Sequence, residues 1–195
     1  MKISFLASHS GSAARYIIAA MRAGQLDAQP GLLITNNQNS DIYRWCQKHA
    51  IDVVCISTKT HPLDEARDKA IHTELKAVDT DFVVLSGYMK KIGPLTLSGY
   101  ANKIFNVHPS LLPRHGGQGL YGDKVHESVL KSGDKQSGAT VQFVSEEYDQ
   151  GPIITQQAVA VSEGETLATL KAKVQAIENE LYLTSLKQLL LSSKG

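Results

Sequence analysis

The chain has 195 residues, 42% of them hydrophobic and 20% charged, proportions that suit a globular fold with a real core and exclude wholesale disorder. A net charge of +1, with no long run of one sign, offers nucleic acid and anionic membranes no electrostatic footing, and no stretch reaches the apolar length of a membrane span. The two cysteines, Cys46 and Cys55, have neither paired nor metal-type spacing and read as reduced core or near-core residues of a cytoplasmic protein.

The apolar part of MKISFLASHSGS is too short for a signal peptide. Lys2 to Ala7 reads instead as a buried first strand running into a loop. A helix follows from about Ser12 to Arg22, then a strand over 31–35, a helix over 41–49 and a strand over 52–56. The spacing predicts a helix over 62–76, with Leu63, Ala66, Ala70, Ile71 and Leu75 as its inner stripe. Strands over 82–86 and 103–108 complete a βαβαβα order. That order predicts an α/β fold with a doubly wound, mostly parallel, Rossmann-like sheet and helices on both faces.

Beyond residue 108 the texture changes. A loop rich in glycine (Gly116, Gly117, Gly119, Gly122) leads to a helix over 123–131. Strands over 138–144 and 152–161 flank the acidic turn SEEYDQG. A last helix begins near Thr166, with Leu167, Leu170, Val174, Ile177 and Leu181 on its docking face. With no internal repeat, linker or low-complexity tract, residues 1–195 read as one domain.

The stretch FNVHPSLLPRHGG, residues 105–117, closes the fifth strand. Alternation puts Asn106 and His108 on one face and Phe105 and Val107 on the other. The pair lies at the carboxyl end of the strand, where open α/β sheets hold ligands. Pro109 restricts His108 to extended backbone, and Pro113 does the same for Leu112. An amide donor beside an imidazole suits stabilisation of an oxyanion and proton transfer near neutral pH. The same two residues also suit plain capping or hydrogen-bonding duty. In SEEYDQGPII, Asp149 sits at a turn and Gly151 is free to take a positive φ. A carboxylate brought to the imidazole would orient it and stabilise its charged form; alone, Asp149 reads equally as a turn residue. In SHSGSAAR, residues 8–15, the N–H groups of Gly11, Ser12 and Ala13 can face a phosphate at a helix N-terminus, and the same residues read equally as a serine-capped helix start. His108, His115 and His126 match no standard zinc spacing. The glycine-rich loop at 114–124 suits a mobile cover.

Taken together, NVHPSLLP at 106–113 and YDQGPII at 148–154 resemble the folate-dependent formyltransferases. The resemblance runs through the first strand and its loop, VVLSGYMKKIG at 83–93 and the last helix. It is nearest to the members that formylate glycinamide ribonucleotide. It implies a formyltransferase-like fold, with about 1–100 as a phosphate- and acceptor-binding half and about 101–195 as a catalytic and folate-binding half. It implies Asn106, His108 and Asp149 as the catalytic trio and 10-formyltetrahydrofolate as co-substrate, with no metal. Gly11, Ser12 and Ala13 would hold the substrate phosphate, and Glu178 its ribose hydroxyls. Met89, Lys90, Lys91 and Ile92, with Asn106, would line the folate site. Read without the resemblance, Glu178 is a solvated helix glutamate and 89–92 a basic loop.

Two departures from the family pattern stand out. Ala13 replaces a usual asparagine, which a backbone contact survives and a side-chain contact does not. Asp64 stands where some relatives carry a folate-reaching arginine, with Arg67 one turn later. The expected partners are small-molecule substrates only, with the oligomeric state open. The chain is expected to lack the basic C-terminal domain of the tRNA-dependent members and the N-terminal regulatory domain of the deformylases. An amine on a sugar nucleotide stays open as an alternative acceptor, and so does a non-catalytic folate- or nucleotide-binding module.

Overall fold

In the computed structural model, residues 1–192 are described. Five consecutive buried residues, Ile3 to Ala7, form most of β1 (Lys2–Ala7). A strand buried without alternation is covered on both faces, as expected of a parallel sheet. The chain then runs through α1 (Ser12–Arg22), β2 (Gln29–Thr35), α2 (Asp41–Lys48), β3 (Val53–Cys55), α3 (Asp64–Ala77), β4 (Phe82–Leu85) and α4 (Pro94–Gly99). It continues with β5 (Ile104–His108), α5 (Asp123–Ser132), β6 (Gln136–Phe143), β7 (Ile153–Ala160) and α6 (Leu167–Ser192).

The seven strands form one sheet in the order β3-β2-β1-β4-β5-β6-β7. β1 pairs in parallel with β2 and β4, and β2 with β3; β6 and β7 pair antiparallel. The result is a doubly wound, mostly parallel α/β sheet. The strand order turns back at β1 and β4, so the crevice at their carboxyl ends is the switch point where such sheets hold ligands. By packing, the chain divides into two compact units, Met1–Phe105 and the part from Asn106 onward, the division falling inside β5.

In the first unit, the expected inner stripe of α3 is only partly right. Ile71 and Leu75 are buried, but Leu63 precedes the helix and is 71% exposed. The buried position belongs instead to Asp68. Its carboxylate accepts the N–H groups of Leu95 and Thr96, at 2.8 and 3.0 Å, and the Thr96 hydroxyl. Asp68 thereby satisfies the open amides at the start of α4. Periodicity missed α4 because it is only six residues long; Pro94 at its first position is the one local sign of it. Cys46 is buried and Cys55 half-buried, both as free thiols. Burial pushes the Cys46 thiol up to about 11, so little thiolate exists at neutral pH.

In the second unit, α6 packs against β6, β7 and α5. Leu170, Val174 and Leu181 are buried as the stripe required, while Leu167 and Ile177 are half-buried. The turn between β6 and β7 differs from expectation. Gly151 does not take a positive φ; Asp149 does, at 57°. Glycine is needed at 151 for a different reason, since a Cβ there would overlap the Phe143 carbonyl. Gly151→Ala is expected to cost about 2 kcal/mol, the range for forcing an extra methyl into a packed site. Urea unfolding checks this, and an unchanged midpoint would refute the close approach as the reason for glycine.

Candidate active site

Within the second unit, β5 delivers Asn106 and His108 two residues apart, hence on one face. His108 is 5% exposed. Its Nε2–H donates to the His115 carbonyl at 2.8 Å. Its Nδ1 lies 3.4 Å from Asp149 Oδ2, longer than a good N–H···O bond. Nδ1 is therefore the ring atom with room to engage a substrate oxygen. Asp149 reaches this place from the β6–β7 turn, held by two further contacts. Its Oδ1 accepts from Gln142 Nε2 at 3.0 Å, and its Oδ2 from the Gly117 N–H at 2.9 Å.

The loop after His108 is anchored from the sheet. The Leu112–Pro113 peptide is cis. Thr140 Oγ1 donates to the Ser110 carbonyl at 2.6 Å and accepts the Leu112 N–H at 3.0 Å. Gln156 Nε2 donates to the Leu112 carbonyl at 2.9 Å. Sequence reasoning missed Thr140 and Gln142. The signal was present, because polar Thr140 and Gln142 alternate with apolar Ala139 and Val141 along β6, yet all four are buried. Polar residues on a buried strand face imply partners to satisfy.

His126, on α5, is 3% exposed and its Nδ1 has no hydrogen-bond partner among the described residues. Burial lowers its pKa, with Lys171 and His108 adding to the effect. No group of three or more His, Cys, Asp or Glu among the described residues is arranged to hold a metal ion.

Within the first unit, two expected ligand segments meet at the switch point. The loop after β1 is joined to the loop after β4 by Ser8 N–H to the Gly87 carbonyl, 3.2 Å, and by Met89 N–H to Ser8 Oγ, 2.8 Å. Ser86 Oγ accepts the Ala14 N–H at 3.0 Å. Gly11 caps α1 in the left-handed region, φ 59°, and a side chain there would collide with Ile42. The Arg15 N–H is taken by the Gly11 carbonyl. Those of Gly11, Ser12 and Ala13 meet no acceptor among the described residues. The Ala13 side chain is buried and presents nothing to a ligand. Met89, Lys90 and Lys91 are exposed and Ile92 is buried. Arg67 is engaged with the carbonyls of His61 and Pro62, both at 2.8 Å, and with Asp64. It serves the start of α3.

Glu178 lies on α6, half-buried beside the docking stripe. Burial alone pushes its carboxyl up to about 7 from an ordinary 4.5. Between those values the folded chain keeps a proton that the unfolded chain has lost, so stability falls as pH rises through this window. Glu178→Gln is expected to be more stable than wild type near pH 8 by up to roughly 3 kcal/mol, and nearly equal to it near pH 4.5. Urea unfolding at both pH values checks this; equal stability near pH 8 would show that the carboxyl is not desolvated.

A family model described as formyl transferase matches residues 1–186. Phosphoribosylglycinamide formyltransferase of Bacillus subtilis is 31% identical over 195 residues, covering 100% of this chain and 97% of that protein. The chloroplastic enzyme of the same name from Arabidopsis thaliana is 36% identical over 183 residues, 93% of this chain. This chain spans 63% of that plant protein and 58% of its Vigna unguiculata counterpart. The crystal structure of phosphoribosylglycinamide formyltransferase from Bacillus halodurans superposes with a TM-score of 0.90 at 39% identity, over 97% of this chain and 95% of that one. Since the family model spans nearly all of the sequence and the fold follows it through both units, the chain belongs to the formyl transferase family.

Proposed function

We propose that this protein transfers the formyl group of 10-formyltetrahydrofolate to the amino group of glycinamide ribonucleotide, a step of purine biosynthesis carried out in the cytoplasm. The observation that carries the reading is the approach of Asp149 to His108, two side chains from different elements, with the ring's other nitrogen already committed. The Bacillus subtilis relative, matched over nearly its whole length, bears the name of this activity.

In the reaction, the amine nitrogen attacks the formyl carbon and a C–N bond forms. The carbonyl electrons move to oxygen, giving a tetrahedral oxyanion. Asn106 and protonated His108 donate to that oxygen, a kind of contact worth roughly 3–4 kcal/mol of barrier. The bond from carbon to folate N10 then breaks. Asp149, through a bound water, helps carry the amine's proton to N10, and tetrahydrofolate leaves. The formyl carbon keeps its oxidation level, so no electron carrier takes part.

In this reading, the free amides of Gly11, Ser12 and Ala13 hold the ribonucleotide phosphate and Glu178 the ribose hydroxyls. The 89–92 segment and Asn106 receive the folate. Backbone contact is the only route open at residue 13, because its side chain is a buried methyl.

The test is turnover. Purified protein is given 10-formyltetrahydrofolate with glycinamide ribonucleotide, an amino sugar nucleotide or methionyl-tRNA in turn, and tetrahydrofolate release is followed. Release with glycinamide ribonucleotide alone is the expected result. Release only with another amine overturns the acceptor. Tight ligand binding without release in any case overturns catalysis.

A further inference from the structure

The three residues after Arg114 form a turn that reaches both His108 and Asp149. His115 has φ 57°, in the left-handed region, where non-glycine residues persist only if their surroundings hold them. Its carbonyl accepts the His108 Nε2–H at 2.8 Å. Two residues on, the Gly117 N–H donates to Asp149 Oδ2 at 2.9 Å. Between them, a Cβ on Gly116 would overlap the Leu112 side chain. One short piece of backbone thus orients the imidazole and the carboxylate together.

What holds that backbone is the His115 ring. Its Nε2 is 2.8 Å from Asp134 Oδ2, and its Nδ1 is 2.8 Å from Ser128 Oγ on α5. A carboxylate only accepts, so Nε2 carries the hydrogen; the serine hydroxyl can then donate to Nδ1. Both ring nitrogens are satisfied, and the side chain is only 10% exposed. Asp134 also pairs with Arg114 at 2.6 Å. The His115 hydrogen bond, with Arg114 alongside, holds the Asp134 carboxyl below the usual carboxylate range.

We infer that Asp134 and Ser128 are positioning residues for His108: they lock the His115 ring so that its carbonyl, presented by a left-handed backbone, takes the His108 Nε2–H and leaves Nδ1 turned toward Asp149 and the reacting centre. A carbonyl oxygen has no hydrogen to give, so this contact selects the Nε2–H tautomer of the neutral ring. The kinetic half of the inference rests on His108 acting in formyl transfer. The tautomer half does not, and the two are measured separately.

The experiment is nitrogen-15 NMR of histidine-labelled protein, paired with steady-state kinetics, on wild type, Asp134→Ala, Asp134→Asn, Ser128→Ala, His115→Gly and Arg114→Ala. In wild type the neutral His108 ring should carry its hydrogen on Nε2. His115→Gly keeps the positive φ without strain but has no ring to anchor. It and Asp134→Ala should show mixed tautomers, with kcat lowered ten- to a hundredfold and KM within about threefold, as for a misplaced catalytic group. Asp134→Asn keeps an acceptor for the ring N–H and should retain more activity than Asp134→Ala. Ser128→Ala removes one of two anchors and should fall between wild type and Asp134→Ala. Arg114→Ala, which removes only an exposed ion pair, should match wild type in both readouts. Hydrogen on Nδ1 of the neutral wild-type ring would overturn the inference outright. A single Nε2–H tautomer with kcat within twofold of wild type in His115→Gly would overturn it too. Should Asp134→Ala fail to fold, Ser128→Ala and His115→Gly decide the matter. Absence of turnover in wild type would refute the proposed reaction while leaving the tautomer result to stand or fall alone.

Discussion

His108→Ala is expected to lower kcat/KM for formyl transfer by about a thousandfold or more. Two losses combine in one substitution. An oxyanion donor typically contributes 10²–10³ to the rate, and a positioned proton-transfer group about 10²–10⁴. They do not simply multiply, because one side chain serves both, so the larger single effect sets the scale. The fold should survive with a cost. His108 is 5% exposed, and its removal opens a cavity and leaves the His115 carbonyl without its donor. Such losses amount to roughly 1–3 kcal/mol. The measurement is tetrahydrofolate release beside a urea unfolding curve. A variant that unfolds at nearly the wild-type midpoint yet turns over within tenfold of wild type would remove His108 from the chemistry.

Much of the architecture was legible because local and long-range signals agreed. The largely apolar run of β1 and the serine-led start of α1 fell where expected, and so did the two strands β6 and β7 around the acidic turn, which pair antiparallel. What escaped were features whose cause lies in a distant neighbour. Asp68 occupies a core position on α3 because the first amides of α4, some 27 residues on, need an acceptor. Gly151 looked like a turn glycine, but it is glycine because Phe143 lies against it, and the strained φ belongs to Asp149. The same holds at the candidate site. Asn106, His108 and Asp149 were proposed from motif and resemblance, and the structure brings His108 and Asp149 to within 3.4 Å of each other. The roles of His115, Gln142 and Asp134 were not, because their contacts join separate elements: His115 reaches Ser128 on α5 and Asp134 beyond it, and Gln142 on β6 reaches the β6–β7 turn. No periodicity encodes such pairings.

Asp149→Asn should separate charge from shape at the same site, with kcat lowered at least a hundredfold and stability within about 1 kcal/mol of wild type. The backbone accepts the change, since φ is 57° at 149 and asparagine enters the left-handed region more readily than most residues. The hydrogen bonds can also be kept. Asp149 accepts from Gln142 Nε2 and from the Gly117 N–H, and an asparagine has only one oxygen to offer. That oxygen stays with Gly117. Gln142 Oε1 is buried without a partner among the described residues, so rotating the Gln142 amide by half a turn lets this oxygen accept from the NH₂ group that the substitution introduces. One buried orphan is exchanged for another, and the count does not rise. What is lost is the negative charge 3.4 Å from His108 Nδ1, the part of Asp149 that in the proposed reaction would stabilise an imidazolium and take part in proton relay. The expected outcome is therefore a folded protein that binds both substrates with KM little changed and turns over slowly. Thermal unfolding, substrate titration and single-turnover kinetics on the one variant measure these three quantities. Wild-type turnover would take Asp149 out of the mechanism, whereas a large loss of stability would show that the amide of Gln142 is not free to turn.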